Sequence, residues 1–179
     1  FALVSCRERS PYLDCAEVKL PAGMKCIPGG EFIRGSNRVT EDEDSKRKVR
    51  DESPEMKVAV STFLMDTNEV TYSEYQECYR AGGCPKAQPN YRGYSNPRQP
   101  MLGVNWFHAR DYCKWRGKRL PTEAEWEKAA RGDNGELYPW GNGDPDCSKA
   151  IIQVKGVKGC GTGRTWDVGS RPAYRYGLH

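Results

Sequence analysis

Apolar and polar residues alternate from Met56 to Met65, with Val58, Val60, Phe63 and Met65 as the apolar members, and this period predicts a strand. Upstream, Met24 to Ser36 reads as a β-hairpin, or a turn between two short strands, punctuated by Pro28-Gly29-Gly30. Thr71 and Glu74 have the spacing of a capping box, in which each side chain satisfies the other residue's unpaired backbone N–H. They open a helix through Tyr75 and Cys78 that stops at Gly82-Gly83, where glycine accepts the left-handed cap. A second helix is expected from about Asn105 to Arg116, ending at Gly117, with Ala109, Tyr112, Cys113 and Trp115 as its apolar stripe. Thr122 and Glu125 repeat the capping box and start a third, short helix through Trp126, Ala129 and Ala130, closed by Arg131-Gly132.

The rest of the chain is loop. Residues 1–22 carry little pattern and form a lead-in. Asn37 to Pro54 is a dense mixture of charges that reads as a solvated loop with no chemistry assigned. Pro85, Pro89, Pro97 and Pro100, with Tyr91 and Tyr94 between them, stiffen a surface loop. Turn signals dominate from Asp133 onward. There is no periodic repeat and no long helix, which excludes solenoids and bundles. The expected architecture is a small α+β domain, loop-rich, with short helices and small sheets, stapled by disulfides because its loops carry little core.

Composition narrows the function classes. Hydrophobic residues make up 37% and charged residues 29% of the 179, and no apolar run reaches the roughly 18 residues that cross a bilayer as a helix. The net charge of +4 is modest, and basic residues are spread among acidic ones, so no nucleic-acid partner is expected. Eight cysteines point to an oxidising compartment, and two histidines without a CxxC pair argue against structural zinc. The close pairs Cys15/Cys26, Cys78/Cys84 and Cys147/Cys160 read as local disulfides, each worth roughly 2–4 kcal/mol by loop closure. Cys113 is expected as a buried free thiol on the second helix. Leu3-Val4-Ser5-Cys6 resembles a bacterial lipobox, with Cys6 the lipid-bearing residue and Phe1 to Ser5 the tail of a signal peptide; the alternative is an ordinary cysteine in an apolar N-terminal segment. On the first reading Cys6 anchors an extracytoplasmic, periplasmic or cell-surface lipoprotein.

The helices also carry a recognisable vocabulary. Ile27-Pro28-Gly29-Gly30-Glu31-Phe32 precedes Asp66-Thr67-Asn68-Glu69-Val70-Thr71-Tyr72, then Val104-Asn105-Trp106 and Tyr112-Cys113-Lys114-Trp115. Gly117 to Glu127 (Gly-Lys-Arg-Leu-Pro-Thr-Glu-Ala-Glu-Trp-Glu) follows, with Ala129-Ala130-Arg131-Gly132, Tyr138-Pro139-Trp140-Gly141 and Val168-Gly169-Ser170 after it. In order and spacing, residues 23–179 resemble the formylglycine-generating-enzyme (sulfatase-modifying-factor) family, which implies a C-type-lectin-like fold. Read physically, Arg119 can pair with Glu123 and Glu125, acids that also suit the positive end of the helix dipole. Trp126 is expected to bury a large face against the surface lined by Trp115 and Trp106. Arg119, Glu123, Glu125 and Trp126 thus form a structural motif, and none is assigned catalysis.

The resemblance implies an activity too. Best-known family members oxidise a sulfatase cysteine to formylglycine with molecular oxygen and copper held by two cysteines near the domain's end. Those cysteines follow a segment that Tyr176-Gly177-Leu178-His179 would open, so the copper-binding pair has no counterpart here, and the domain is expected to be truncated and non-catalytic as it stands. Copper would require a missing C-terminal part to supply the pair. Family calcium sites use an Asn oxygen where this chain has Ile151, and Asp144, Asp146 and Asp167 are poor substitutes, so no metal site is assigned. Three readings stay open: part of an active copper- and oxygen-dependent oxidase, a non-catalytic binding module, or a sugar binder using Tyr91, Tyr94 and Trp166. A domain lacking its last strands should expose apolar faces that a protein partner or the missing C-terminal segment covers.

Overall fold

The computed structural model describes residues 12–38, 40–41, 48–49, 52–90, 92–153 and 156–179. Strands β1 (Met24–Ile27) and β2 (Gly30–Arg34) follow one another, then the two-residue strands β3 (Thr40–Glu41) and β4 (Lys48–Val49) pair within the charged loop. β5 (Met56–Val60) and β6 (Phe63–Asp66) complete the strands. The two strands expected in Met24 to Ser36 form, but they do not pair with each other. β1 pairs with β6, from Met24↔Asp66 to Ile27↔Phe63, and β2 pairs with β5, from Gly30↔Val60 to Arg34↔Met56. Both ladders are antiparallel and keep one offset, so they form a single ribbon with a break at Pro28-Gly29 opposite Ser61-Thr62.

The break has a local cause. Pro28 has no N–H to give a ladder, and Gly29 sits where a Cβ would lie 2.6 Å from the Thr62 backbone nitrogen. Gly29 N–H instead donates to Thr62 Oγ1 at 2.9 Å, and that hydroxyl donates to Leu13 O at 2.5 Å. The expected strand over residues 56–65 is accordingly split in two.

The helices follow the sequence signals closely. α1 (Tyr72–Arg80) and α3 (Glu123–Arg131) each start from a complete capping box, at Thr71/Glu74 and Thr122/Glu125. α2 (Trp106–Trp115) is capped by Asn105, whose side chain accepts from His108 N–H at 2.9 Å. Gly82, Gly117 and Gly132 follow them at φ of 74°, 69° and 70°. α1 and α2 enclose the main core, in which Tyr75, Cys78, Cys84, Ala87, Met101 and Tyr112 are buried and Val70, Tyr72 and Val104 pack alongside. Outside that core Ile27 of β1 and Phe32 of β2 are buried, and where α3 packs on β2 the Lys128 ammonium sits 5.7 Å from the Phe32 ring centroid.

The three expected disulfides form: Cys15–Cys26, Cys78–Cys84 and Cys147–Cys160. Cys15–Cys26 ties the lead-in to β1, and Cys78–Cys84 is built into the main core. Cys6 lies outside the described residues. The tryptophans differ from expectation. Trp106, Trp115 and Trp126 do not share a buried surface: Trp106 and Trp126 are 61% and 60% exposed. Helix phase is the reason, since Lys128, Ala129 and Glu125 occupy the buried side of α3 and leave Trp126 outward.

Candidate functional site

β6, the end of α2, α3 and the C-terminal loops surround one groove of about 1300 Å³. Trp126 and Trp140 line it, with Cys113 from α2, the Arg119–Glu125 pair, Trp166 and the terminal His179. At its edge, His179 N–H donates to Thr67 O at 3.0 Å, and Thr67 N–H donates to Gly23 O at 2.8 Å.

The Gly117–Glu127 run builds one wall. Arg119 Nη1 and Nη2 donate to Glu125 Oε2 and Oε1 at 2.7 and 2.6 Å, a bidentate pair. Glu125 Oε2 also accepts from Thr122 N–H at 2.7 Å, so one carboxylate closes the capping box and holds the arginine. The Arg119 hydrogen bonds, outweighing burial, pull the Glu125 carboxyl down to about 2. Glu123, expected as a second partner of Arg119, reaches instead to Arg34 of β2 at 3.0 Å. Both ends of the run are thus anchored, one to the cap and one to the ribbon.

Two cationic residues given no site role in the sequence analysis, Arg131 and Lys128, complete the frame. Arg131 pairs with Glu127 and donates to Gly35 O at 3.0 Å, Gly135 O at 2.9 Å and Glu136 O at 2.8 Å, fastening α3 to the turn after β2. Glu127 in turn accepts from Gly35 N–H at 2.8 Å. Lys128, 1% exposed, donates to Asp133 at 2.5 Å. The one available clue was the Glu127/Arg131 spacing of four on a helix; a lysine in a polar helix carries no mark of burial.

Cys113 is a free, half-buried thiol raised above its ordinary value by burial and then by Asp66. Asp66 itself accepts from Lys118 Nζ at 2.5 Å. Two of the three acids weighed for calcium are engaged elsewhere, Asp146 with Lys149 at 2.7 Å and Asp167 with Arg98 at 3.4 Å, while Asp144 contributes its backbone oxygen, which accepts from Lys149 Nζ at 2.7 Å. Hydrogen bonds from Lys149 and then Ser148 hold the Asp146 carboxyl well below the usual carboxylate range. Ile151 lines the groove and offers no oxygen from its side chain. Among the described residues no three His, Cys, Asp or Glu side chains gather as a metal cluster.

The aromatics weighed for sugar stacking hold loops together. Tyr94 Oη donates to Gly163 O at 2.6 Å, and Trp166 Nε1 donates to Gly159 O at 3.1 Å. The Arg171 guanidinium lies 4.2 Å from the Trp166 ring centroid and covers that face. Tyr91 lies outside the described residues.

A copper site of the kind the family resemblance implies needs two thiolates. Six of the seven described cysteines are in disulfides, and Cys113 stands alone, so the described residues do not fit that ion. Among the described residues no helix is long and apolar enough to cross a membrane.

Comparison with known proteins agrees with this geometry. The model of the sulfatase-modifying factor enzyme 1-like domain matches residues 11–179. Bovine (Bos taurus) formylglycine-generating enzyme is 30% identical over 167 residues, covering 68% of this chain and 43% of that protein. The inactive Cα-formylglycine-generating enzyme 2 of Mus musculus is 34% identical over 185 residues, covering 78% and 56%. The chain therefore spans about half the length of these curated relatives. The crystal structure of CarF matches over 89% of this chain and 76% of that one, with a TM-score of 0.54 and 21% identity, a likeness of fold. The interrupted ribbon, three capped helices and disulfide-stapled loops are the α+β fold of a sulfatase-modifying-factor domain, and the chain belongs to the formylglycine-generating-enzyme family.

Proposed function

We propose that these residues form the scaffold of an extracytoplasmic formylglycine-generating-enzyme-type domain and carry no catalytic copper site themselves. The observation behind this is the cysteine inventory: three disulfides and one isolated thiol leave no thiolate pair among the described residues. The same disulfides support an oxidising, extracytoplasmic location. The matched span is common to a relative named as an enzyme and one named as inactive, so it does not decide between those fates. A lipid anchor on Cys6 belongs to the same proposal, and mass spectrometry of the N-terminal peptide from membrane fractions tests it.

The groove supports a second, dependent reading. It is a strongly apolar concavity with Trp126 uncovered, and His179 already joins the end of β6 through Thr67. We propose that further polypeptide of the same domain fills it, and that any oxidase chemistry arrives with that polypeptide. The experiment is to obtain the complete gene product, load it with copper(I), and follow oxygen-dependent conversion of a cysteine-containing sulfatase-type peptide by mass. Conversion that survives Cys113→Ser places the chemistry outside these residues and makes the protein an oxidase. Absence of conversion in copper-loaded protein supports the non-catalytic module. Conversion lost with Cys113→Ser alone, in folded protein, overturns the scaffold reading.

A further inference from the structure

The groove is largely apolar, yet it gathers buried polar atoms that lack a partner. Asn68 Oδ1, Thr165 Oγ1, Arg171 Nε and Arg175 Nε are buried with no hydrogen bond among the described residues, and all four residues line the groove. Native folds leave few such groups, and each calls for a partner. This set holds an acceptor, two donors and a hydroxyl that can act as either, which complements a polypeptide rather than a hydrocarbon. Three of the four sit on the wall formed by residues 165–171. Asn68 Oδ1 packs against Gly169, where a Cβ would lie 3.2 Å from it, and the Arg171 guanidinium lies 4.2 Å from the Trp166 ring centroid.

Arg171 adds an unmatched charge to that wall. It is half-buried, and Nη1 donates to the adjacent Ser170 O at 2.9 Å. Nη2 makes no hydrogen bond, and the residue has no ion pair, among the described residues. Residues 156–179 hold four cations, Lys158, Arg164, Arg171 and Arg175, against the single acid Asp167. Asp167 pairs with Arg98 at 3.4 Å and Arg175 takes Glu136, which leaves Arg171 without a carboxylate. Water serves the guanidinium while the groove is open. A chain that fills the groove removes that water, and a guanidinium keeps its charge whatever covers it. Left unmatched, such a charge opposes the filling.

We propose that the polypeptide filling the groove presents an acidic side chain whose carboxylate pairs with Arg171. The inference rests on the reading that further polypeptide of the same domain occupies the groove, and it adds the chemistry of the contact. A carboxylate suits this position better than a main-chain carbonyl, because it accepts two guanidinium N–H groups at once and cancels the charge. The main chain of the same segment supplies the donors and acceptors that Asn68 and Thr165 lack.

The test uses the complete gene product. Hydroxyl-radical labelling read by mass reports whether the groove is filled: Trp126, 60% exposed among the described residues, is expected to react several-fold more slowly than in urea-unfolded protein. Arg171→Met is then combined in turn with neutralisation, Asp→Asn or Glu→Gln, of each acid outside residues 1–179, and urea unfolding is measured with disulfides intact. For one acid, either single change is expected to raise the unfolding constant about tenfold, and both together no further. Arg171→Lys keeps the charge and supplies an amine, so carbodiimide is expected to link position 171 to that same acid. With Trp126 protected, additive effects for every acid overturn the proposal and leave the groove reading standing. Coupling to Glu69→Gln instead, or a link to Glu69 or Asp167, also overturns it, since an acid lining the groove then supplies the charge. Trp126 reacting as fast as in unfolded protein overturns both readings.

Discussion

Replacing Glu125 with glutamine keeps the side-chain shape and removes one charge from a carboxylate that accepts four hydrogen bonds. Glu125 accepts from both Arg119 nitrogens and from Thr122 N–H and Oγ1, the last at 3.1 Å, and the side chain is only 11% exposed. Its carboxyl is lowered from the ordinary value to about 2, chiefly by Arg119. Taken at face value, that shift corresponds to about 3 kcal/mol of stabilisation at neutral pH. Arg119, however, is 65% exposed, so water and salt screen the pair, and about 1.5 kcal/mol is the expected loss in Glu125→Gln. Glu125→Ala also opens the capping box, which adds about 1 kcal/mol.

The sign with pH follows from the lowered value. A carboxyl whose folded pKa is depressed stabilises fully above its unfolded value, near pH 4.3, and the contribution fades as pH falls towards about 2. Urea unfolding of wild type and Glu125→Gln, with disulfides intact, should therefore show the gap at neutral pH and its closure between about pH 4.5 and 2. A double-mutant cycle with Arg119→Met should return a coupling of about 1 kcal/mol. Glutamine matching wild type at neutral pH, or a gap that persists unchanged at pH 2, would refute the reasoning.

Three further outcomes can be checked with the same protein. Cys78→Ala with Cys84→Ala should cost about 2–3 kcal/mol in urea unfolding, more than removal of the half-buried Cys147–Cys160 bridge despite its shorter loop, because the first bridge is part of the main core. Asp133→Asn should destabilise by about 3 kcal/mol and Lys128→Met by less, since the first leaves a buried ammonium without its counter-charge and the second leaves an apolar side chain among Phe32 and its neighbours. Burial, with Glu74 next, raises the Tyr112 phenol to about 12, and burial with Asp133 does the same for Tyr176. Ultraviolet titration should show late-ionising tyrosine absorbance that Tyr112→Phe reduces, and the stabilisation it reports is complete below about pH 10 and lost as pH rises through about 12.

The sequence by itself determined the features whose physics is local. Both capping boxes and the glycines after each helix were legible because they involve residues within four positions of one another. The three disulfides were legible for the same reason, as their loops are short. Family membership was readable from the ordered words around Gly117 to Glu127. Only the tertiary structure decided which strand pairs with which. An isolated Met24–Ser36 segment has the look of a hairpin, but the segment at 56–66 offers a longer ladder in one continuous register, and that long-range pairing prevails. Burial was likewise decided by packing: Trp106 and Trp126 are the more apolar residues, yet helix phase faces them outward, while Lys128 lies 1% exposed because Asp133 and Phe32 receive its ammonium. Glu123 pairing with Arg34 rather than Arg119, and the assembly of the groove from β6, α3 and the C-terminal loops, belong to the same category, since each depends on distances that no local spacing encodes.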